Sequence, residues 1–106
     1  MSNQSDPTFR QKIIEDAKKI LSDYLKGYDV KVYLFGSWAR GEEQPSSDID
    51  IAIWDQKKEL PGGVISKIRM AFEESTIPYH VDIVNFSTTG TELQQKVLKE
   101  GIPWNV

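Results

Sequence analysis

One alternating segment constrains the fold of this chain more than any other feature. Residues 48–54 read DIDIAIW, so three isoleucines alternate with Asp48, Asp50 and Ala52. This period of two residues is typical of a β-strand with one buried face. The isoleucines should pack in a core, and both aspartates should leave the opposite face, about 7 Å apart along the backbone. Like charges about 4 Å apart repel by roughly 4 kcal/mol at an effective dielectric of about 20. The pair therefore predicts a bound cation.

The rest of the chain predicts three helices and two further strands. The first helix spans Asp6 to Gly27, with Asp6 as its N-cap and Pro7 at its first position. The other predicted elements are a strand over 30–35, a short helical turn over 37–41, a helix over 64–75, a strand over 79–86 and a helix from residue 88 or 89 to Gly101. This order predicts an α/β (α+β) fold, a small mixed β-sheet with helices packed on one face, whose strand order stays open.

Composition limits the classes of function. The chain has 106 residues, 39% of them hydrophobic and 27% charged, which suits a single domain over 1–106. It contains no cysteine, which excludes thiolate metal sites, disulfides and a cysteine nucleophile. A net charge of −3 argues against a general nucleic-acid binder. No apolar run approaches the ~20 residues of a membrane span, so we expect a soluble, cytoplasmic protein.

Gly36 and Ser37 mark the corner where the strand over 30–35 ends and the helical turn begins. Glycine at such a corner lets a ligand approach the backbone, and free N–H groups at a helix start attract phosphate oxygens. The Ser37 hydroxyl adds one more donor. On their own, these residues could be only a turn glycine and an N-cap. Their position one loop before Asp48 instead favours a phosphate cradle next to cation ligands.

Asp82 is a third carboxylate that interrupts a predicted strand. It shares a face of that strand with His80. If this strand lies beside the one that carries Asp48 and Asp50, the three carboxylates could hold two divalent ions. Mg²⁺ takes oxygen ligands, usually one or two carboxylates together with substrate phosphates. Such a pair of ions activates an attacking hydroxyl and stabilises a leaving pyrophosphate in an in-line displacement.

The run GSWARGEEQPSSDID carries a family resemblance. It fits the pattern Gly-Ser, ten residues, Asp-x-Asp, and a later strand aspartate follows in YHVDIV. These features are similar to the nucleotidyltransferase fold shared with DNA polymerase β. The size resembles the minimal nucleotidyltransferase (MNT) family, antitoxin-type proteins that are commonly encoded beside a helical HEPN partner. The similarity extends from the first helix to the closing LKEGIPW.

The resemblance implies a role for each motif residue. Gly36 and Ser37 would contact the nucleotide triphosphate, and Asp48, Asp50 and Asp82 would bind metal, with two Mg²⁺ ions expected. Asp82 would also help to deprotonate the acceptor hydroxyl. For some members, the resemblance implies transfer of AMP from ATP to a tyrosine of the HEPN partner toxin.

Four other side chains have open roles. Arg40 is included with the nucleotide-binding residues because a guanidinium grips phosphate well, although a solvated cation at the end of a helical turn is the alternative. His80 could belong to the site or be a surface residue. Any of the three tryptophans could be core. Trp38 lies in a polar loop, where the family often has a basic or smaller residue, and is the one favoured to stack on a base or a partner. Trp104 and the apolar tail IPWNV suggest a subunit contact.

Two functions from different classes fit these features. The first is a metal-dependent nucleotidyltransferase that modifies a hydroxyl of a partner protein, since a chain this short lacks a second domain to enclose a small acceptor. The second is a binding module, an antitoxin that works by covering its partner, in which the catalytic geometry is retained but activity is absent or incidental. A nucleotide sensor is a third possibility. The base preference, the acceptor residue, the number of groups transferred and the oligomeric state, a hetero-oligomer or a homodimer, stay open.

Overall fold

The computed structural model describes residues 7–106 as alternating helices and strands. The elements in chain order are α1 (Pro7–Leu25), β1 (Lys31–Phe35), α2 (Ser37–Arg40), β2 (Ile49–Trp54), α3 (Val64–Glu73), β3 (Val81–Asn85), a 3₁₀ turn (Phe86–Thr88), α4 (Thr91–Glu100) and β4 (Ile102–Trp104). The predicted N-cap, Asp6, lies outside the described residues.

The four strands form one mixed sheet in the order β3-β2-β1-β4. β1 runs antiparallel to both β2 and β4, whereas β2 and β3 are parallel. The predicted mixed sheet is therefore confirmed. β4 was not predicted, because three residues around a proline show no strand period of their own. They become a strand by pairing with the free edge of β1.

The main core lies between one face of the sheet and the helices α1 and α3. α1 presents an apolar stripe at intervals of four residues, and the alternating isoleucines of β2 meet it with at most 2% of their surface exposed. The buried residues of α1 are Ile13, Ala17, Leu21 and Leu25. No helix in residues 7–106 combines the length and the apolar composition needed to cross a membrane.

The opposite face of the sheet carries α4. Val97 of α4 packs with Phe35, Ala52 and Phe86 in a second, smaller core. The expectation that helices pack on one face thus holds for α1 and α3, while α4 covers part of the other face. Since the side chains of Asp50 and Ala52 leave β2 on the same side, this second core borders the carboxylates.

Several element boundaries differ from the sequence prediction by a few residues. β2 begins at Ile49 and leaves Asp48 in the preceding loop. β3 begins at Val81, two residues after the expected start, and ends where the side chain of Asn85 accepts a hydrogen bond from the Ser87 N–H and starts the 3₁₀ turn. α3 ends at Glu73 and α4 begins at Thr91, inside the predicted bounds.

Candidate active site

Asp50 and Asp82 lie side by side on neighbouring strands. They are register partners in the parallel β2–β3 pair, so their backbones are about 4.8 Å apart and their side chains leave the same face. Asp50 is half-buried, whereas Asp82 is exposed at the outer strand. The structure therefore brings two of the three predicted carboxylates together, in one half-buried and one exposed position.

Asp48 completes the acidic group from the loop before β2. It is exposed, and its charge acts on Asp50 together with that of Asp82. Burial first, and then the charges of Asp82 and Asp48, raise the pKa of Asp50 from 3.8 to about 6, against a smaller opposing effect of Lys96. Asp50 thus holds a proton more tightly than an ordinary carboxyl group, because burial and nearby negative charge disfavour its ionised form.

Gly36 forms a corner that contacts Asp50 directly. Its backbone has φ 76° and ψ −156°, a conformation that residues other than glycine rarely adopt. A Cβ atom at this position would overlap Oδ2 of Asp50. Glycine is therefore required here twice, by its backbone angles and by the closeness of the carboxylate.

Ser37 and Arg40 begin and end the single turn of α2 that follows the corner. The N–H groups of Ala39 and Arg40 both donate to the carbonyl of Gly36, at 3.1 and 3.2 Å, which closes this turn. Ser37 is half-buried, and the Arg40 side chain is 41% exposed. All the predicted phosphate contacts therefore lie on one short segment next to Asp50.

Glu100 is a residue of this site that sequence reasoning missed. The Gly36 N–H donates to its Oε2 at 2.6 Å, and Nη1 of Arg40 donates to both of its carboxylate oxygens at 3.1 and 3.2 Å. Glu100 lies 64 positions after Gly36 in the chain. No motif spacing links residues so far apart, and only the pairing of β4 with β1 brings them together.

Trp38 does not face a ligand, and the predicted stacking on a base or a partner is wrong. Its side chain is 1% exposed and belongs to the main core. The ring of Tyr79 packs edge-on at 5.1 Å, and the guanidinium of Arg10 lies 5.5 Å from the Trp38 ring centre. Successive residues of a helical turn point in different directions, so Trp38 faces the core although its neighbours in sequence are polar.

Trp104 is buried, whereas His80 lies at the surface. Trp104 is 8% exposed and packs in the main core, so its predicted role in a subunit contact is wrong. The exposed apolar residues of the tail are Ile102 and Val106. The side chain of His80 is exposed, and its carbonyl accepts from the Ile49 N–H at 2.9 Å, which joins the starts of β2 and β3.

The acidic group suits a divalent cation whose remaining ligands come from water and substrate. Within the described part of the chain, no three His, Cys, Asp or Glu side chains converge closely enough to enclose an ion. Mg²⁺ usually takes only one or two protein carboxylates and fills its octahedron with water and phosphate oxygens. Adjacent Asp50 and Asp82, with the raised pKa of Asp50, fit that mode of binding.

Comparison with known proteins places this geometry in a family. Residues 21–103 match the family described as "Polymerase beta, Nucleotidyltransferase". The chain belongs to this family. It is also 31% identical over 82 residues to the Haemophilus influenzae protein named "Probable protein adenylyltransferase MntA", which covers 77% of this chain and 69% of the relative. The matched region of the family includes the glycine corner and all three aspartates.

Solved structures of related nucleotidyltransferases confirm the fold. One chain of a toxin–antitoxin crystal structure with AMP-PNP is 30% identical, with a TM-score of 0.67 over 92% of this chain and 73% of that chain. A chain in the structure of a tri-AMPylated Shewanella oneidensis HEPN toxin in complex with MNT antitoxin is 25% identical, with a TM-score of 0.57 over the same shares. The resemblance to minimal nucleotidyltransferases is therefore confirmed.

Proposed function

We propose that this chain is a metal-dependent nucleotidyltransferase that transfers AMP from ATP to a tyrosine hydroxyl of a HEPN-type partner protein, and acts as its antitoxin. The observation that carries the proposal is the register of Asp50 with Asp82 beside the Gly36 corner. The adenylyltransferase relative and the AMPylated toxin complex support the choice of AMP and of the partner.

Asp48, Asp50 and Asp82 would hold two Mg²⁺ ions beside the second core, on the face of the sheet that Asp50 and Asp82 share. When bound there, such ions supply stabilisation for the charge that develops on a leaving pyrophosphate. The donor set agrees with this assignment, because it consists of carboxylate oxygens, the ligands that Mg²⁺ prefers. Burial, followed by the charges of Asp82 and Asp48, raises the pKa of Asp50, so a cation there would offset both effects.

The phosphates of ATP would lie along the corner and the turn that follows it. Gly36 lets the backbone lie against Asp50 without a side chain between them, so phosphate and carboxylate can share an ion. Ser37 would donate its hydroxyl, and Arg40 would place a guanidinium on the β- and γ-phosphates, since this group binds phosphate in two parallel hydrogen bonds.

Asp82 would accept the proton of the acceptor hydroxyl. As the phenol oxygen forms its bond to the α-phosphorus of ATP, the bond from that phosphorus to pyrophosphate breaks, and the phenolic proton passes to the Asp82 carboxylate. Asp82 is the exposed member of the pair. A side chain of a large partner can therefore reach it, which suits a protein acceptor in the cytoplasm, where ATP and Mg²⁺ are present.

Labelling of the partner tests this function. The purified chain, the protein encoded by the neighbouring gene as candidate partner, Mg²⁺ and ATP labelled at the α-phosphate should yield a labelled partner whose modification maps to tyrosine. Asp48→Asn and Asp82→Asn should abolish labelling while complex formation persists. Asp23→Asn is the matched control, because it removes the same charge from an exposed position on α1.

A non-catalytic antitoxin is the competing function. One observation favours it, namely that the carboxylate of Glu100 already occupies the Gly36 N–H and the Arg40 guanidinium. In that case no nucleotide would label the partner, and the Asp82→Asn chain would still neutralise it. Labelling that requires Asp82 would reject the non-catalytic function.

A further inference from the structure

The carboxylate of Glu100 links the Gly36 N–H and the Arg40 guanidinium, which lie at the two ends of residues 36–40. Its Oε2 accepts from the Gly36 N–H at 2.6 Å and from Nη1 of Arg40 at 3.1 Å. Nε of Arg40 donates to Glu42 at 2.8 Å. The guanidinium is thus held on two sides, and among residues 7–106 no acceptor is bound to its Nη2.

Backbone contacts of the residues next to Glu100 hold it near Gly36. β4 pairs antiparallel with β1, with Leu34 opposite Ile102, which brings the end of α4, just before Ile102, to the end of β1 that leads into Gly36. The next residue, Gly101, donates its N–H to the Val97 carbonyl at 2.7 Å. A Cβ at Gly101 would overlap that carbonyl and press on Tyr33 at 3.3 Å. The end of α4 is therefore seated tightly on β1.

Local physics disfavours a carboxylate at this position. Glu100 is the last residue of α4, where the helix dipole repels negative charge. Its side chain is only 21% exposed, so it has lost much of its hydration. Its charge also adds to the repulsion around Asp50. The charge-assisted hydrogen bonds to Gly36 and Arg40 offset these costs. A residue that breaks local rules while it contacts a site is a candidate for a functional role.

We propose that Glu100 is a positioning residue for the nucleotide triphosphate: it holds the Gly36 corner in place and orients the guanidinium of Arg40 toward the phosphates. The proposal rests on the proposed function, since it assigns to Arg40 a contact with ATP. Its consequence is that the charge of Glu100, although negative and close to a binding site for an anion, strengthens nucleotide binding.

The opposing possibility makes the reverse prediction. If the carboxylate of Glu100 merely stands where a phosphate oxygen would bind, ATP must displace it. Removal of the carboxylate would then free both donors and tighten binding. The direction of the change in affinity on mutation therefore distinguishes a positioning role from competition.

Calorimetric titration of the intact chain with ATP and Mg²⁺ tests the proposal without the partner. Glu100→Ala should raise the dissociation constant about tenfold, the loss expected when a charged hydrogen bond no longer orders its donor. Glu100→Gln, which still accepts from the Gly36 N–H but removes one of the two ion pairs of Arg40, should lie between Glu100→Ala and the parent chain. Glu92→Gln is the matched control, because it removes the same charge from an exposed position two turns earlier on α4 and should leave affinity unchanged.

A double mutant separates positioning from general damage to the fold. If Glu100 acts partly through Arg40, Glu100→Ala should cost less in an Arg40→Ala chain than in the parent chain, because only its contact with the Gly36 N–H is left to lose. In partner labelling, Glu100→Ala should raise KM for ATP and leave KM for the partner unchanged. Tighter binding by Glu100→Ala, an unchanged affinity, or the same loss in the Arg40→Ala chain would each overturn the proposal. A parent chain that binds ATP but never labels its partner would instead overturn the proposed function alone.

Discussion

Gly36 and Asp50 touch so closely that the glycine has no room for a Cβ atom beside the Asp50 carboxylate. This contact sets the phosphate corner against the half-buried acid and makes the two features of the motif one structural unit. A substitution at either residue should therefore be felt at the other.

Gly36→Ala should lower the free energy of unfolding by about 1–3 kcal/mol, because alanine would be held at positive φ and would displace Asp50. It should also reduce nucleotide transfer. Denaturant unfolding and the labelling rate measure the two effects. Gly62→Ala is the control, since open space surrounds Gly62. If Gly36→Ala were as stable as Gly62→Ala, the described contact with Asp50 would be wrong.

Asp50 should destabilise the metal-free protein at neutral pH. Its pKa is raised from 3.8 to about 6 in the folded chain, so between these values the folded state keeps a proton that the unfolded state has lost. The free energy of unfolding should therefore fall as pH rises through this window and stay low above about 6. Asp50→Asn should remove this fall.

Thermal unfolding in the presence of a chelator measures the effect. Above about pH 7, Asp50→Asn should unfold at a higher temperature than the parent chain, and the difference should close below about pH 4, where both carry a neutral group. Asp23→Asn, on an exposed part of α1, should change little at either pH. A parent chain that is the more stable one at neutral pH without metal would contradict the assigned pKa.

Mg²⁺ uptake should be coupled to proton release near pH 6. A cation beside Asp50 favours its charged form, so below about 6 binding must first remove a proton and the affinity for Mg²⁺ should weaken. Titration calorimetry in two buffers with different ionisation enthalpies counts the protons released. Asp50→Asn should release none. Equal Mg²⁺ affinity at about pH 5 and about pH 8 would show that Asp50 is not a ligand.

Trp38 should contribute to stability and not to nucleotide binding. Trp38→Ala should cost about 3–5 kcal/mol of unfolding free energy, because it leaves a large cavity in the main core. Trp38→Phe should cost less, since it keeps most of the ring and removes an indole N–H that is buried without a hydrogen-bond partner within the described residues. ATP affinity of Trp38→Phe should equal that of the parent chain. A large loss of affinity with normal stability would restore the stacking role.

The elements that sequence analysis predicted are those with a local period. The alternation of Ile49, Asp50 and Ile51 decides which face of β2 is buried, because neighbouring side chains of a strand must leave opposite faces. The glycine at position 36 predicts a corner for a similarly local reason, because glycine tolerates the positive φ that the corner adopts. The fold class and the carboxylate face could therefore be predicted without coordinates.

Features that depend on distant pairing could not be predicted. Nothing in the sequence around Asp82 states that its strand lies beside β2 and runs parallel to it. Glu100 reaches Gly36 only because β4 pairs with the edge of β1, and β4 itself has no strand pattern. Trp38 was misassigned because its polar neighbours suggested a loop, whereas the orientation of one helical turn decides that it is buried.

Trp104 should be the main anchor of β4, and through it of Glu100. Its ring is buried in the main core, its backbone pairs with Val32, and the Lys18 ammonium lies 5.4 Å from the ring centre. Trp104→Ala should lower the unfolding free energy by about 3–5 kcal/mol, and it should weaken ATP binding because the end of α4 is no longer held against β1. Val106→Ala, two residues later and exposed, is the control and should change neither quantity. Denaturant unfolding measures the stability of both variants, and calorimetry measures their ATP affinity. Equal stability of the two variants would mean that Trp104 does not anchor β4 and that β4 is not what holds Glu100 beside Gly36.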